Sequence, residues 1–245
     1  MRGRARKKRR DRVGGRVWTD DLDGAPIERG GEFITAGYDA TARWTARLGI
    51  PLEGMGIRYP ERPLRPDPGL DRDEVAAAAA AVAAEAARHP DEPAVELLAR
   101  VVADPRIAEL IGSRVQSSRA YPLDALDARF LLRQLELEPA LTPVAADALA
   151  AVRMSTAAKL HVPLARAVEP GALMSVPGRW WAYVQSSAGV DCRVVGAWAG
   201  ASPVVEALRA AEGPETWLGE LRALWPELEL DAARARVTTW DDDPW

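Results

Sequence analysis

Arg10-Asp11-Arg12-Val13-Gly14-Gly15-Arg16-Val17-Trp18-Thr19 is the stretch on which the reading of the fold turns. Two adjacent glycines stand between arginines and lead directly into a β-branched and aromatic run. Such residues describe a backbone that turns tightly, brings its N–H groups close to something anionic, and leaves as a strand. The same letters fit a plain Gly-Gly turn entering a β-hairpin. The flanking chain has to separate the two.

Upstream lies a basic arm. Residues 1–16 hold nine of the 32 Lys and Arg residues and a single acid, Asp11, so the formal charge of -4 conceals -12 over the remainder. A basic arm before an acidic body is one form taken by nucleic-acid or membrane-surface tails. No interleaved aromatics and no recognisable binding fold follow this one, so a disordered or truncated end ranks above nucleic-acid binding.

The 245 residues suffice for one large or two small domains with a sizeable core. No apolar run approaches the roughly 18 residues needed to span a bilayer, and the N-terminus lacks the apolar stretch of a signal peptide. No membrane partner is expected, and a cytoplasmic location is the default. Cys192 is the single cysteine, and no Cys/His cluster has metal-ligand spacing, so neither a disulfide nor a metal is expected.

Downstream of the glycine pair, residues 17–34 read as strand, turn, strand, with 20–24 as the turn. Gly30-Gly31 near the end of the unit could come close to Gly14-Gly15. A short helix over 39–48 follows, with Gly49 suited to its C-terminal cap. Residues 59–69, with four prolines, read as a connector. Helices over 71–88, 94–103, 106–115 and 124–135 make a helical subdomain, and one more helix spans 144–152. Then the pattern turns to strands over 158–164, 179–185 and 192–199, helices over 204–211 and 215–224, and a last strand over 233–239. The fold class is α+β: a short strand unit, a helical block, then a sheet with helices.

Candidate chemistry is sparse. There is no G-x-G-x-x-G, no P-loop, and no G-x-S-x-G elbow with triad partners. Among 32 basic residues only Lys7, Lys8 and Lys159 are lysine. One lysine outside the arm marks a place where a compact ammonium is wanted rather than a planar guanidinium. It sits in an alternating segment, with Leu160, Val162 and Leu164 on one face and Lys159, His161 and Pro163 on the other. His161 reads better as a partly buried strand residue than as a catalytic base. Nine tryptophans, several in the C-terminal third, fit core packing first and a wall for a planar ligand second.

Several pieces fit one family together. Residues 11–19, then Glu28-Arg29-Gly30-Gly31-Glu32-Phe33-Ile34, then 42–50, resemble the segment of flavin-containing amine oxidases (the monoamine, polyamine and L-amino-acid oxidase superfamily) that follows their dinucleotide motif. Leu137-Glu138-Pro139-Ala140-Leu141-Thr142-Pro143, continuing through Met154-Ser155-Thr156-Ala157-Ala158-Lys159-Leu160, looks like the family's entry into its substrate-domain sheet. Trp240-Asp241-Asp242-Asp243-Pro244-Trp245 is similar to the tryptophan segment before the family's last flavin-contacting region.

The resemblance implies a partial flavin amine oxidase fold and FAD as cofactor. Gly14, Gly15 and Arg16 would lie along the diphosphate and ribityl chain, and Gly31, Glu32 and Phe33 would pass close to the flavin. Lys159 would hold a water against the reactive ring nitrogen, and Trp240 would wall the pocket. The implied reaction moves a hydride from a small-molecule amine to flavin, which dioxygen reoxidises.

The resemblance also has gaps. No G-x-G-x-x-G unit precedes the glycine pair, Lys8 stands where the family has a ribose-binding acid, a cofactor-contacting region is skipped near Leu135, and Trp245 comes before the C-terminal flavin segment. The expected organisation is therefore a basic, disordered arm over 1–12, a partial flavin-binding segment over 13–58, a helical subdomain over 59–135, and a substrate-domain-like sheet over 136–245. Such a chain is expected to be a fragment, completed by a partner chain supplying the dinucleotide-binding fold. The alternative is a non-catalytic remnant or interaction module without its own cofactor.

Overall fold

The computed structural model describes residues 14–15, 17–34, 38–52, 54–57, 62–131, 156–185 and 193–240. Strands β1 (Thr19–Leu22) and β2 (Ala25–Glu28) pair antiparallel, from Thr19 opposite Glu28 to Leu22 opposite Ala25. Their turn is only Asp23-Gly24, with φ of 58° and 82°, the left-handed pair that a two-residue hairpin turn requires. The expected turn over 20–24 is too long: Asp20 and Asp21 lie in the strand, and the Asp21 carboxylate accepts the Gly24 N–H at 2.9 Å. Helix α1 (Asp39–Arg47) ends as the sequence implies, at Gly49 with φ of 67°.

The helical block is built on local signals. Helix α2 (Arg72–Arg88) starts at Asp71, whose carboxylate accepts from the N–H groups of Asp73 at 2.9 Å and Glu74 at 3.0 Å, satisfying donors left over at a helix start. Helices α3 (Ala94–Val101) and α4 (Pro105–Arg119) follow. Helix α4 runs about one turn beyond the expected end at Val115. The polar residues that break the apolar pattern there, Gln116 and Ser117, are themselves buried.

The expected helix over 124–135 is not formed in its described part, where two 3-10 turns stand instead, Leu123–Ala125 and Ala128–Leu131. The backbone groups that a helix would use are paired elsewhere. The Leu126 carbonyl accepts from Ala94, and the N–H groups of Ala128 and Arg129 donate to the carbonyls of Glu92 and Pro90. The helix expected over 144–152 lies outside the described residues.

The sheet consists of β3 (Leu64–Arg65), β4 (Ala157–Pro163), β5 (Gly171–Ser175), β6 (Trp180–Val184), β7 (Val194–Gly200) and β8 (Arg236–Thr239). Their order is β3-β5-β6-β7-β4-β8, with β3 and β5 parallel and the other neighbours antiparallel. Two strands were not expected. Strand β3 falls inside the proline-rich connector, and β5, Gly-Ala-Leu-Met-Ser, has no β-branched residue to announce it. The last strand is shorter than the expected 233–239, because a 3-10 turn occupies Ala232–Arg234.

Helices α5 (Ser202–Ala207) and α6 (Glu215–Leu224) cover one face of the sheet. There Leu160, Val162, Trp180, Ala182 and Val184 form one core with Val204, Trp217 and Leu221. Each such large side chain contributes about 1.5–3 kcal/mol by leaving water.

A joint ties the helical block to the sheet. Ser113 donates to the Val176 carbonyl at 2.7 Å, Trp198 Nε1 donates to the Ser117 carbonyl at 3.1 Å, and Arg179 pairs with Glu109 at 3.1 Å. The approach is close enough that a Cβ on Gly200 would stand 2.8 Å from Ala120 Cα. Among the described residues no helix is long and apolar enough to cross a membrane.

Candidate functional site

Strand alternation places Lys159 and His161 on the face opposite α5 and α6. Register lines up one row across the sheet there: Met174, Trp181, Trp198, Lys159 and Thr238. The adjacent row is Ala172, Tyr183, Gly196, His161 and Arg236. Lys159 and His161 are each only 3% exposed. The expectation of a partly buried His161 is corrected accordingly.

The buried lysine is held by the end of the hairpin and the segment after it. Its Nζ donates to Glu32 Oε2 at 2.6 Å and to the Glu28 carbonyl at 2.7 Å. Glu32 is held from the sheet as well: the Tyr183 hydroxyl donates to the same Oε2, and Gln185 Nε2 donates to Oε1 at 2.8 Å. An ion pair withdrawn from water is tolerable only when its remaining lone pairs and protons are met in this way. Burial, then the neighbouring Glu32 carboxylate, pushes the Tyr183 phenol well above its ordinary range, so it stays a donor.

Aromatic rings form the wall beside the pair. Phe33 lies 5.4 Å from Trp181 and 5.2 Å from Tyr183 between ring centroids, Trp181 and Tyr183 are 4.7 Å apart, and the Lys159 ammonium is 5.9 Å from the Phe33 ring. Gly196 makes this possible. A Cβ at that position would stand 2.6 Å from Tyr183 Cζ and 2.8 Å from its hydroxyl oxygen.

His161 is a different case. Burial first, and then the positive charges of Lys159 and Arg29, hold its imidazole down to about 3, against an opposing pull from Asp20. It is neutral at ordinary pH, and its Nδ1 has no hydrogen-bond partner among the described residues. That environment suits a packed strand residue.

The hairpin is locked over the edge of the sheet. Arg29 Nε donates to Thr238 Oγ1 at 2.8 Å, its guanidinium pairs with Asp20 at 3.1 Å and stacks 3.8 Å from the Trp18 ring, and Trp18 meets Trp240 edge-on at 6.2 Å. Trp240, the residue expected to wall a flavin pocket, thus packs on the hairpin.

Of the residues singled out from the sequence, Lys159, Glu32 and Phe33 come together. Gly31 directly precedes Glu32 in the segment laid against the sheet. Gly14 and Gly15 sit before the open end of the hairpin, exposed, with φ of 99° and 57°. Arg16 lies outside the described residues. Sequence reasoning missed Tyr183, Gln185, Gly196 and the Glu28 carbonyl. Tyr183 was reachable, since alternation from Trp181 puts it on the same face.

The donor set suits a flavin. The Lys159 ammonium carries three N–H groups and spends two among the described residues, leaving one for a water or a ring nitrogen. A Cβ built at Gly15 meets nothing within 4 Å, so the turn lies open on its outer side. Among the described residues no cluster of His, Cys, Asp and Glu could hold a metal ion.

The sequence profile of the family described as flavin containing amine oxidoreductase matches residues 9–99. A putrescine oxidase redesigned in its cofactor binding shares the fold with a TM-score of 0.66 at 14% identity, over 96% of this chain and 79% of that one. Cyclohexylamine oxidase from Brevibacterium oxydans IH-35A matches with a TM-score of 0.65 at 15% identity, over 96% of this chain and 78% of that one. The chain is thus similar in sequence, over residues 9–99, to the flavin containing amine oxidoreductase family, and it has the fold seen in solved amine oxidases.

Proposed function

We propose that the chain is the substrate-facing part of an FAD-dependent amine oxidoreductase acting on a small-molecule amine. The observation that carries this is the meeting of Lys159 with Glu32 and Phe33, brought from sequence positions more than a hundred residues apart onto one aromatic-lined face. The chemistry FAD supplies when bound is acceptance of a hydride from the carbon bearing the uncharged amine, with reoxidation by dioxygen. The protein's own residues supply orientation and exclusion of water. Lys159 offers its unspent N–H to a water at the reacting centre, and Phe33 and Trp181 keep the surroundings apolar. Gly14, Gly15 and Arg16 serve the diphosphate, Gly31 allows close approach of the chain, and Trp240 borders the site. A reducing cytoplasmic setting accords with the single cysteine.

The visible spectrum of the purified protein, with and without added FAD, tests this reading. Flavin absorbance that co-purifies or titrates in, and that bleaches with an amine under anaerobic conditions, is the expected result. Lys159→Met in the same preparation is expected to slow bleaching at least tenfold. A protein that takes up no flavin even at high FAD, alone or with a co-expressed partner, would overturn the proposal. One observation favours a second reading, a non-catalytic interaction module: the Lys159 charge is already balanced by Glu32 without any ligand. Colourless protein under every condition is the outcome that selects it.

A further inference from the structure

We propose that Tyr183, assisted by Gln185, is the positioning residue of this site: by gripping both oxygens of Glu32 from strand β6 and its end, it aims the Lys159 ammonium. This rests on the reading that Lys159 is the working cation. Lysine has a long, flexible stem, and a single carboxylate partner on another flexible side chain fixes it poorly. Here the carboxylate is clamped. Oε2 accepts from both Lys159 and Tyr183, and Oε1 accepts from Gln185. With the Glu28 carbonyl as its second acceptor at 2.7 Å, the ammonium has two of its three N–H directions set, and the third follows from tetrahedral geometry.

The sheet makes room for that clamp at one further position. Tyr183 reaches Glu32 by lying across the β7 position opposite it, and that position is Gly196, where a Cβ would collide with the phenol end of the ring. The Gln185 amide donates to Glu32 while its own Oε1 is buried without a hydrogen-bond partner among the described residues. Its polar contact is thus directed at the carboxylate alone. Neither residue touches Lys159 among the contacts described, so their influence passes through Glu32.

The test uses the full chain with 15N-labelled lysine side chains. Only three lysines are present, two of them in the basic arm, so the Lys159 ammonium signal is assigned by its loss in Lys159→Met. In the unmodified protein that signal is expected to be sharp and protected, as a buried, doubly bonded ammonium should be. Tyr183→Phe, which removes one oxygen and keeps the ring, is expected to raise its proton exchange at least tenfold with little change in far-ultraviolet circular dichroism. Gln185→Leu is expected to raise it less, about threefold. In flavin-loaded protein Tyr183→Phe is expected to lower kcat about tenfold while KM stays within twofold. Lys159 exchange unchanged in both variants overturns the proposal, as does a fall in kcat without faster exchange. If Lys159→Met leaves flavin reduction intact while Tyr183→Phe still speeds exchange, the clamp stands and the functional reading of Lys159 fails.

Discussion

At the scale of single residues the controlling fact is the Lys159–Glu32 pair, with side chains 4% and 7% exposed. Removing one partner of a buried ion pair strands the other, at a cost of about 3–5 kcal/mol. Glu32→Gln is therefore expected to lower the urea unfolding free energy by about 3 kcal/mol, with the Glu32→Gln/Lys159→Met double variant less destabilised than the sum of the two singles. His161 carries a separate signature. Its imidazole is held to about 3 in the folded protein against about 6.5 unfolded, so between those values the unfolded state binds the extra proton and stability falls as pH falls. The slope from this group reaches at most about 1.4 kcal/mol per pH unit. Urea titrations from pH 4 to pH 7 are expected to show that slope in the native protein and a flatter line in His161→Asn. His161 was legible in the sequence as a strand residue and not as a fully buried one, because alternation assigns a face and does not say what lies on it.

At the scale of elements, the helices with local punctuation were readable. Asp71 before α2, His89-Pro90 after it, and Gly49 after α1 each act within one turn of chain. The elements that went astray depend on distant partners. Residues 123–131 carry apolar spacing suited to a helix, yet their backbone groups pair with Pro90, Glu92 and Ala94, and 3-10 turns result. Strand β5 is held by β3 and β6 rather than by its own β propensity. Strand β7 supplies a prediction at this scale. Gly196→Ala puts a methyl into the Tyr183 ring, and overpacking of this kind costs about 1–3 kcal/mol. Thermal unfolding should shift down accordingly. Near-ultraviolet circular dichroism should change with it, since Tyr183 is displaced against Trp181 and Phe33. An unchanged melting temperature would show that the ring has room elsewhere.

At the scale of the whole molecule, the hairpin is a separate two-stranded sheet that docks on the six-stranded one through several cations: Arg29 donates to Thr238 while pairing with Asp20 and stacking on Trp18, Arg236 reaches Asp20 and the Asp21 carbonyl, Arg234 pairs with Asp23, and Lys159 donates to the Glu28 carbonyl. The segment bearing Glu32 follows directly on that hairpin, so the docking also places the carboxylate over Lys159. Arg29→Ala is expected to loosen the hairpin without melting the α5 and α6 face. Hydrogen exchange should rise at least tenfold in residues 19–28 and stay unchanged in β6. Equal protection throughout would mean that the hairpin is held by other contacts. The sequence by itself determined the α+β class, the glycine-pair segment, the lone lysine and the family resemblance, because composition, short-range punctuation and period-two alternation are all local properties of the chain. Only the tertiary structure decided that Glu32 rather than solvent meets Lys159, that Tyr183 and Gln185 clamp it, and that Gly196 clears the space. Those contacts join residues up to about 150 positions apart, and their pairing is set by sheet register and by where the hairpin docks, neither of which any local pattern encodes.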